Sequence, residues 1–407
     1  METKITRREM LKLTGAGILG AAIGATGLGG VAQLLPEKKV SAAEQIVPFH
    51  GLNQAGIVTL HQSHVYFASL DFIGKSQEEL RQLFKEWTAY SERLTKGKTI
   101  KKDETNGYVP PIDTGDTIGL DAANLTLTFG VGPSLFENSN LQLQSKKPEE
   151  LEVLPHFPKD QLQERWTGGD ICIQACADDP QVAFHAVRNL LRAGNGIVKL
   201  KWSQAGFLSM PEDKSTPRNL FSFKDGTVNP KTDAEFKEHI WISGHSQSWL
   251  NNGTYLVYRR IQMHLETWDR TALKEQENTF GRYRDSGALF TKSNETEELD
   301  VFATDVAGEP VLPVDSHVYL SRLANKVIYR RPFSYSSDVV TETGAYDSGM
   351  LFISFQKRPE QFIDIQNSLG RIDKLNEYIT HRGSAIFACL PGVSKGSYLG
   401  EALFTSI

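Results

Sequence analysis

Three kinds of side chain in this sequence can do chemistry together: one carboxylate, one imidazole and a group of guanidiniums. The carboxylate is Asp225, in 219-NLFSFKDGTVNP-230. Asp-Gly followed by Thr and then Asn-Pro is turn chemistry throughout, and composition alone favours a plain turn. Two phenylalanines and a leucine just upstream place that turn against apolar surface. An unpaired carboxylate there has a raised pKa and can exchange a proton near working pH. The imidazole is His317, in 313-PVDSHVYLSRLANKVIYRRPFSY-335, where it precedes a dense set of arginines, Arg322, Arg330 and Arg331. A lone histidine is more often structural than a ligand. The ten histidines contain no HExxH and no close pair that would signal a dedicated zinc site. Aspartate, histidine and arginines therefore acquire meaning only in company.

The elements that must hold them repeat. Residues 64–73 have strand composition, Ser76 and Glu79 form a capping box, and Leu80, Leu83, Phe84, Trp87, Tyr90 and Leu94 recur at helical spacing. Strands follow at 124–129 and 170–177. Asp178-Asp179-Pro180 opens a second helix that Gly194 ends, and 197–202 is a fourth strand. The order is β-α-β-β-α-β, the ferredoxin-like unit. The second half predicts the same order: a strand over 254–264, a helix from Leu265, short strands at 317–320 and 327–329, and a last strand at 385–390. Between them 349-GMLFISFQKRPEQFIDIQNSLG-370 parallels 169-GDICIQACADDPQVAFHAVRNLLRAG-194. The expected fold is α+β, two such modules with antiparallel sheets over 44–215 and 216–407, of the dimeric α+β barrel type. Residues 97–122 and 132–167 are long connections of the sort that cover a site.

The bulk numbers fit that picture. A chain of 407 residues with 40% hydrophobic and 23% charged content is long enough for two or three globular domains. A net charge of −5 and the absence of a basic run argue against nucleic acid as a partner. The first 43 residues read separately. Thr6-Arg7-Arg8-Glu9-Met10-Leu11-Lys12, a Gly/Ala/Leu-rich run to Leu35 and Ser41-Ala42-Ala43 resemble a twin-arginine export signal. An uncleaved anchor is the alternative, weakened by the glycines. Such signals export folded, cofactor-loaded proteins to the periplasm, cell surface or medium. The three cysteines do not make a disulfide framework. On a strand Cys172 and Cys176 lie about 13 Å apart, and all three, with Cys389, read as buried small hydrophobes.

Taken together, 219-NLFSFKDGTVNP-230, 315-DSHVYL-320 and 328-IYRRPFSY-335 resemble the dye-decolourising peroxidases, and within them the exported deferrochelatase/peroxidase branch linked to iron uptake. The stretches 254-TYLVYRRIQMHLETWDR-270 and 278-NTFGRYRDSGA-288 resemble the same branch, and the likeness runs over 45–407. The resemblance implies one haem b per chain, with His317 as the iron ligand. It implies Asp225 as the acid–base group over the haem, Arg330 (or, as second choice, Arg331) as the charge-stabilising arginine, and Asn229 as a further polar residue there. Arg322 is the expected partner of a haem propionate, and the backbone of Gly226, Thr227 and Val228 is expected along the haem edge. The implied activity is oxidation of phenolic or dye-like donors by hydrogen peroxide, best at acidic pH. The alternatives are release of iron from haem with the porphyrin intact, and a non-catalytic haem carrier, which needs His317 but not Asp225 and Arg330. Iron-uptake components and a second copy of the chain are the further partners it raises. Large dyes call for electron transfer through a surface aromatic, with Trp202, Trp268 and Tyr335 as candidates. One departure stands out: Ser222 occupies a position where the family motif carries glycine.

Overall fold

The computed structural model describes residues 46–101, 106–213, 215–298, 300–340, 343–370 and 372–405, so the leader read over 1–43 lies outside the described residues. The first half runs β1 (His64–Phe72), α1 (Gln77–Leu94), β2 (Thr126–Val131), β3 (Ile171–Ala177), α2 (Pro180–Ala193), β4 (Val198–Phe207). The second runs β5 (Thr254–Met263), α3 (Leu273–Phe280), α4 (His317–Leu323), β6 (Tyr329–Arg330), β7 (Phe333–Val340), β8 (Ala345–Gln356), α5 (Pro359–Leu369), β9 (Ile379–Cys389). Caps delimit the paired helices as the sequence predicts: Asp179 accepts from the N–H groups of Gln181 and Val182 ahead of Pro180, and Pro359 opens α5.

Every strand pairing is antiparallel. The first half lies in the order β2-β3-β1-β4, and the second in the order β7-β8-β5-β9. Numbered within its own module, each half is therefore 2-3-1-4, the ferredoxin-like order. Two short seams join the sheets end to end: Gly130↔Cys389 and Val131↔Ala388 between β2 and β9, and Phe207↔Ser334 between β4 and β7. The result is a closed, barrel-like sheet, which leaves few free edges. Closure also explains why β2, β3 and β5 are buried along their whole length rather than on alternate residues. Helices cover the outside, and an aromatic core fills the inside. Within it Tyr258 packs against Phe67 and Trp202 at ring separations of 4.8 and 4.6 Å, alongside Cys172, Cys176 and Cys389. All three cysteines are free and buried.

Two expectations fail locally. Residues 317–320 are the first turn of α4, not a strand, although His-Val-Tyr-Leu has strand composition. Packing of α4 on α5 overrides that local preference. The missing strand is instead β6 with β7, which run along β8 in one register as far as Ser336, Arg330 opposite Ser354 and Phe333 opposite Leu351. Pro332, with no N–H to give, interrupts them. Among the described residues no helix is long and apolar enough to cross a membrane.

Candidate active site

The loop carrying Asp225 is held from behind. Arg218 donates to the carbonyls of Ser222 and Asp285, both at 2.7 Å, and the Asp225 N–H donates to Pro217 C=O at 3.0 Å. Phe221 and Phe223, whose apolar character marked this turn, are fully buried against Trp268 and Phe280, with Phe223 stacked on Phe280 at 4.2 Å. Ser222 takes the left-handed conformation itself, with φ of 69°, and Gly226 has φ of 107°, which favours glycine. The serine thus follows the backbone path expected of a glycine, and the loop keeps its shape.

Asp225 is not unpaired. Arg330 Nη1 lies 3.0 Å from Asp225 Oδ1. The contact is electrostatic: Oδ1 is buried and accepts no hydrogen bond. The strand geometry decides between the two arginines, because successive residues of a strand face opposite sides. Arg330 turns to the cavity. Arg331 turns away, fully buried, and its guanidinium donates to Thr59 C=O at 2.6 Å, Leu60 C=O at 3.1 Å and the Gln62 side chain. Asn229 does not line the cavity. Its amide donates to Arg330 C=O at 2.6 Å and accepts from Arg330 N–H at 3.0 Å, so it fixes the Arg330 backbone.

Across the same cavity, His317 opens α4, and its Nδ1 donates to Asp373 Oδ2 at 2.8 Å. Asp373 is buried, and its second oxygen accepts the Leu375 N–H at 2.9 Å, which caps the turn at Lys374–Glu377. A carboxylate can only accept, so the Nδ1 proton is committed and Nε2 keeps its lone pair.

These groups line one open cavity of about 1520 Å³, counting the part that merges with solvent. Its walls are apolar where the sheet and helices meet: Ile261, Met263, Phe280, Met350, Phe352 and Phe362 all face it. Gly226, Thr227 and Val228 lie along it, as does Arg322. Arg282 and Arg322 join Arg330 to make a cationic rim. Burial and the neighbouring Arg330 and Arg322 push Arg282 down to about 10, and burial with Arg330 lowers Arg322. Cations crowded like this are stabilised by an anion. On the sheet side Arg259 is buried in an ion pair with Asp160, and His381 is held well below its ordinary pKa by burial and the Arg259 charge.

Sequence reasoning missed Asp373 and Arg282. Arg282 sits in the quoted stretch 278–288 but carries no local mark. Asp373 carries a capping signal that says nothing of a histidine 56 positions away. The aromatic candidates are all interior: Trp202 and Tyr335 in the barrel, Trp268 packed on Phe221 and Phe280 in the cluster behind the cavity wall.

A double ferredoxin-like sheet closed on itself, with a histidine–carboxylate pair and an arginine–carboxylate pair on one cavity, defines a class. The sequence matches the Dyp-type peroxidase N-terminal model over 54–208 and the C-terminal model over 216–394, and the chain belongs to this family. It is 33% identical to the deferrochelatase of Escherichia coli strain K12, over 98% of this chain and 96% of that protein. It is 35% identical to that of Shigella flexneri serotype 5b, over 88% and 87%. Among solved structures, a DyP-type peroxidase from Streptomyces coelicolor superposes with a TM-score of 0.82 at 33% identity, covering 89% of this chain and 97% of that one. Ferric DtpA from Streptomyces lividans superposes with 0.81 at 34%, covering 88% and 96%. Haem is the cofactor of this family, and the cavity fits it. A metal-binding imidazole, apolar walls for a flat macrocycle, arginines for carboxylates and a buried carboxylate oxygen without a hydrogen bond are the complement such a group requires.

Proposed function

We propose that this protein is a haem b peroxidase that uses hydrogen peroxide to oxidise phenolic or dye-like donors. The observation that carries the reading is the pairing on one cavity of His317–Asp373 at 2.8 Å with Asp225–Arg330 at 3.0 Å. His317 Nε2 would hold the iron, and Asp373, by taking the Nδ1 proton, strengthens that nitrogen as a donor. Arg282 and Arg322 would hold the propionates, with the Gly226–Val228 backbone along the edge. Bound haem supplies the iron at which peroxide is cleaved and the oxidising equivalents passed to the donor. The chain supplies the rest. Asp225 Oδ1, free of hydrogen bonds, takes a proton from peroxide and returns it to the departing oxygen. Arg330 stabilises negative charge developing on that oxygen in a water-poor pocket. Asn229 acts through Arg330 as a positioning residue.

The same reading includes folded export through the twin-arginine leader, a module boundary near residue 215, and work alongside iron-uptake components. A second reading is supported by the curated relatives, which are named deferrochelatases over nearly their whole length: removal of iron from haem with the porphyrin intact. One experiment separates them. Residues 44–407 are reconstituted with haem, and absorption and extracted porphyrin are followed with and without peroxide. A Soret band that shifts on one equivalent of peroxide and returns on adding a phenol supports the peroxidase. Protoporphyrin accumulating without peroxide supports iron release. Absence of a Soret band defeats both.

A further inference from the structure

A second, open groove of about 1050 Å³, again counted out to solvent, lies beside the one-pair seam between β4 and β7. Its apolar side is formed by Phe207, Met210 and Leu220. Phe207 and Met210 are 41% and 43% exposed, an unusual pairing of large apolar side chains on one lip. Ser334 adds a hydroxyl. Lys224 lines this groove and the haem cavity alike, so one side chain stands between them. Its ammonium donates to Glu295 at 3.0 Å, which occupies one of three donors. The groove wall also continues into the catalytic loop through the Asp225 N–H bond to Pro217 C=O.

We propose that this groove binds the reducing substrate, a small neutral phenol. The proposal rests on the peroxidase reading and names the donor's site within it. An aromatic ring packs on Phe207 and Met210, and the phenolic oxygen accepts from one of the Lys224 donors that Glu295 leaves free. Each phenol would give up one electron, across the Lys224 wall, to the oxidising equivalents that bound haem supplies, and one proton, to water at the open mouth. Two phenols and one peroxide yield two phenoxyl radicals and two waters.

The test uses 2,6-dimethoxyphenol and the variant Phe207→Ala/Met210→Ala, whose side chains are exposed and touch neither haem nor peroxide in the mechanism above. The expected result is a KM for the phenol raised at least fivefold, with the KM for peroxide and the Soret band unchanged. Independently, saturation-transfer NMR on the protein loaded with zinc protoporphyrin, which fills the haem cavity without turnover, should show 2,6-dimethoxyphenol bound to the wild type and lost in the variant. An unchanged phenol KM, or saturation transfer that survives in the variant, overturns the proposal. Saturation transfer does not depend on catalysis. Binding without any peroxide-dependent oxidation would therefore sink the peroxidase reading, and the donor role with it, whereas oxidation without binding would sink the groove alone.

Discussion

The two halves of the barrel share strand order and handedness but differ in what covers the outer face of the sheet. In the first half α1, with 18 residues, lays Leu80, Leu83, Phe84 and Trp87 on the strands. Trp87 stacks on Phe129 at 5.6 Å, and its Nε1–H donates to Leu190 C=O at 2.8 Å. That face is closed. In the second half the described residues between β5 and β7 form no helix of that length: they make a four-residue turn of helix over Leu265–Trp268, the eight-residue α3 and the seven-residue α4. The strands keep their apolar residues, but Ile261, Met263, Met350 and Phe352 face a cavity. One copy of the module spends its outer face on stability, and the other leaves it open for a flat ligand, with His317 and the arginines brought in by the segment between β5 and β7 and the two carboxylates by the loops before β5 and before β9.

The largest expected effects break this comparison at its two centres. His317→Ala should abolish tight haem binding while lowering the stability of the haem-free protein by no more than about 1–3 kcal/mol, because the residue sits at a helix start and only Asp373 loses a partner. Trp87→Ala should do the reverse. It should cost about 3–5 kcal/mol of stability, and the fraction that folds should bind haem with wild-type affinity. Haem titration beside denaturant unfolding measures both, and a variant that loses both properties together would deny the division of labour.

Next in size are changes within the cavity. Asp225→Asn should keep haem binding and slow the reaction with peroxide by about 10²–10⁴-fold, the usual range for a general acid–base group. Asn229→Ala should slow it less, because it loosens Arg330 without removing the guanidinium. Stopped-flow rates against peroxide concentration separate the two. A fully active Asp225→Asn would transfer the leading role to Arg330.

A smaller effect concerns acid, and it falls on both halves. His61, beside β1, is lowered to about 3 by burial and by the charge of Arg331, and His381 on the cavity side is lowered by burial and Arg259. Folded-state values below the unfolded value of about 6.5 mean that the unfolded chain binds protons first as the pH falls. Their contribution is complete above pH about 6.5 and is lost as the pH falls below it, that of His61 progressively towards pH about 3. The urea midpoint of the haem-free protein should therefore fall between pH 7 and 4.5, and His61→Phe should flatten that fall. An acidic optimum for turnover would then be limited by stability rather than by the cavity.

The contrast between halves also explains what the sequence could reveal. The closed half was legible because its helices carry a 3.6-residue apolar period and end in Asp179-Pro180 and Gly194. The open half has few long periods to read. There the strand composition of His-Val-Tyr-Leu misled, and β7 lay concealed next to Pro332. The alternation that chooses Arg330 over Arg331 needs the strand first. Asp225, His317 and Arg330 were found as a family pattern, whereas Asp373 and Arg282 reach the cavity through packing of α3, α4, α5 and the Lys374–Glu377 turn on one another, contacts that no local spacing records.

Ser222 provides the finest test, since it asks how firmly the open half holds its loop. Its φ of 69° is a left-handed conformation that costs an L-residue about 1–2 kcal/mol. Its side chain is exposed and takes no part in the hydrogen bonds of the loop, which run through backbone groups, Arg218 and the Asn219 side chain, whose Oδ1 accepts from the Phe221 and Phe223 N–H groups. Ser222→Gly would relieve the strain but add about 0.5–1 kcal/mol of unfolded-chain entropy. The net expectation is a gain of about 0.5–1 kcal/mol, with the Soret band and peroxide rate unchanged. A Tm rise of a few degrees or less with unaltered kinetics would show that Arg218 and the Pro217–Asp225 bond, not the residue at 222, fix the position of Asp225. A faster peroxide reaction in the glycine variant would instead mean that the serine holds the carboxylate away from its best position, and that this chain gives up rate at the one place where it departs from the family motif.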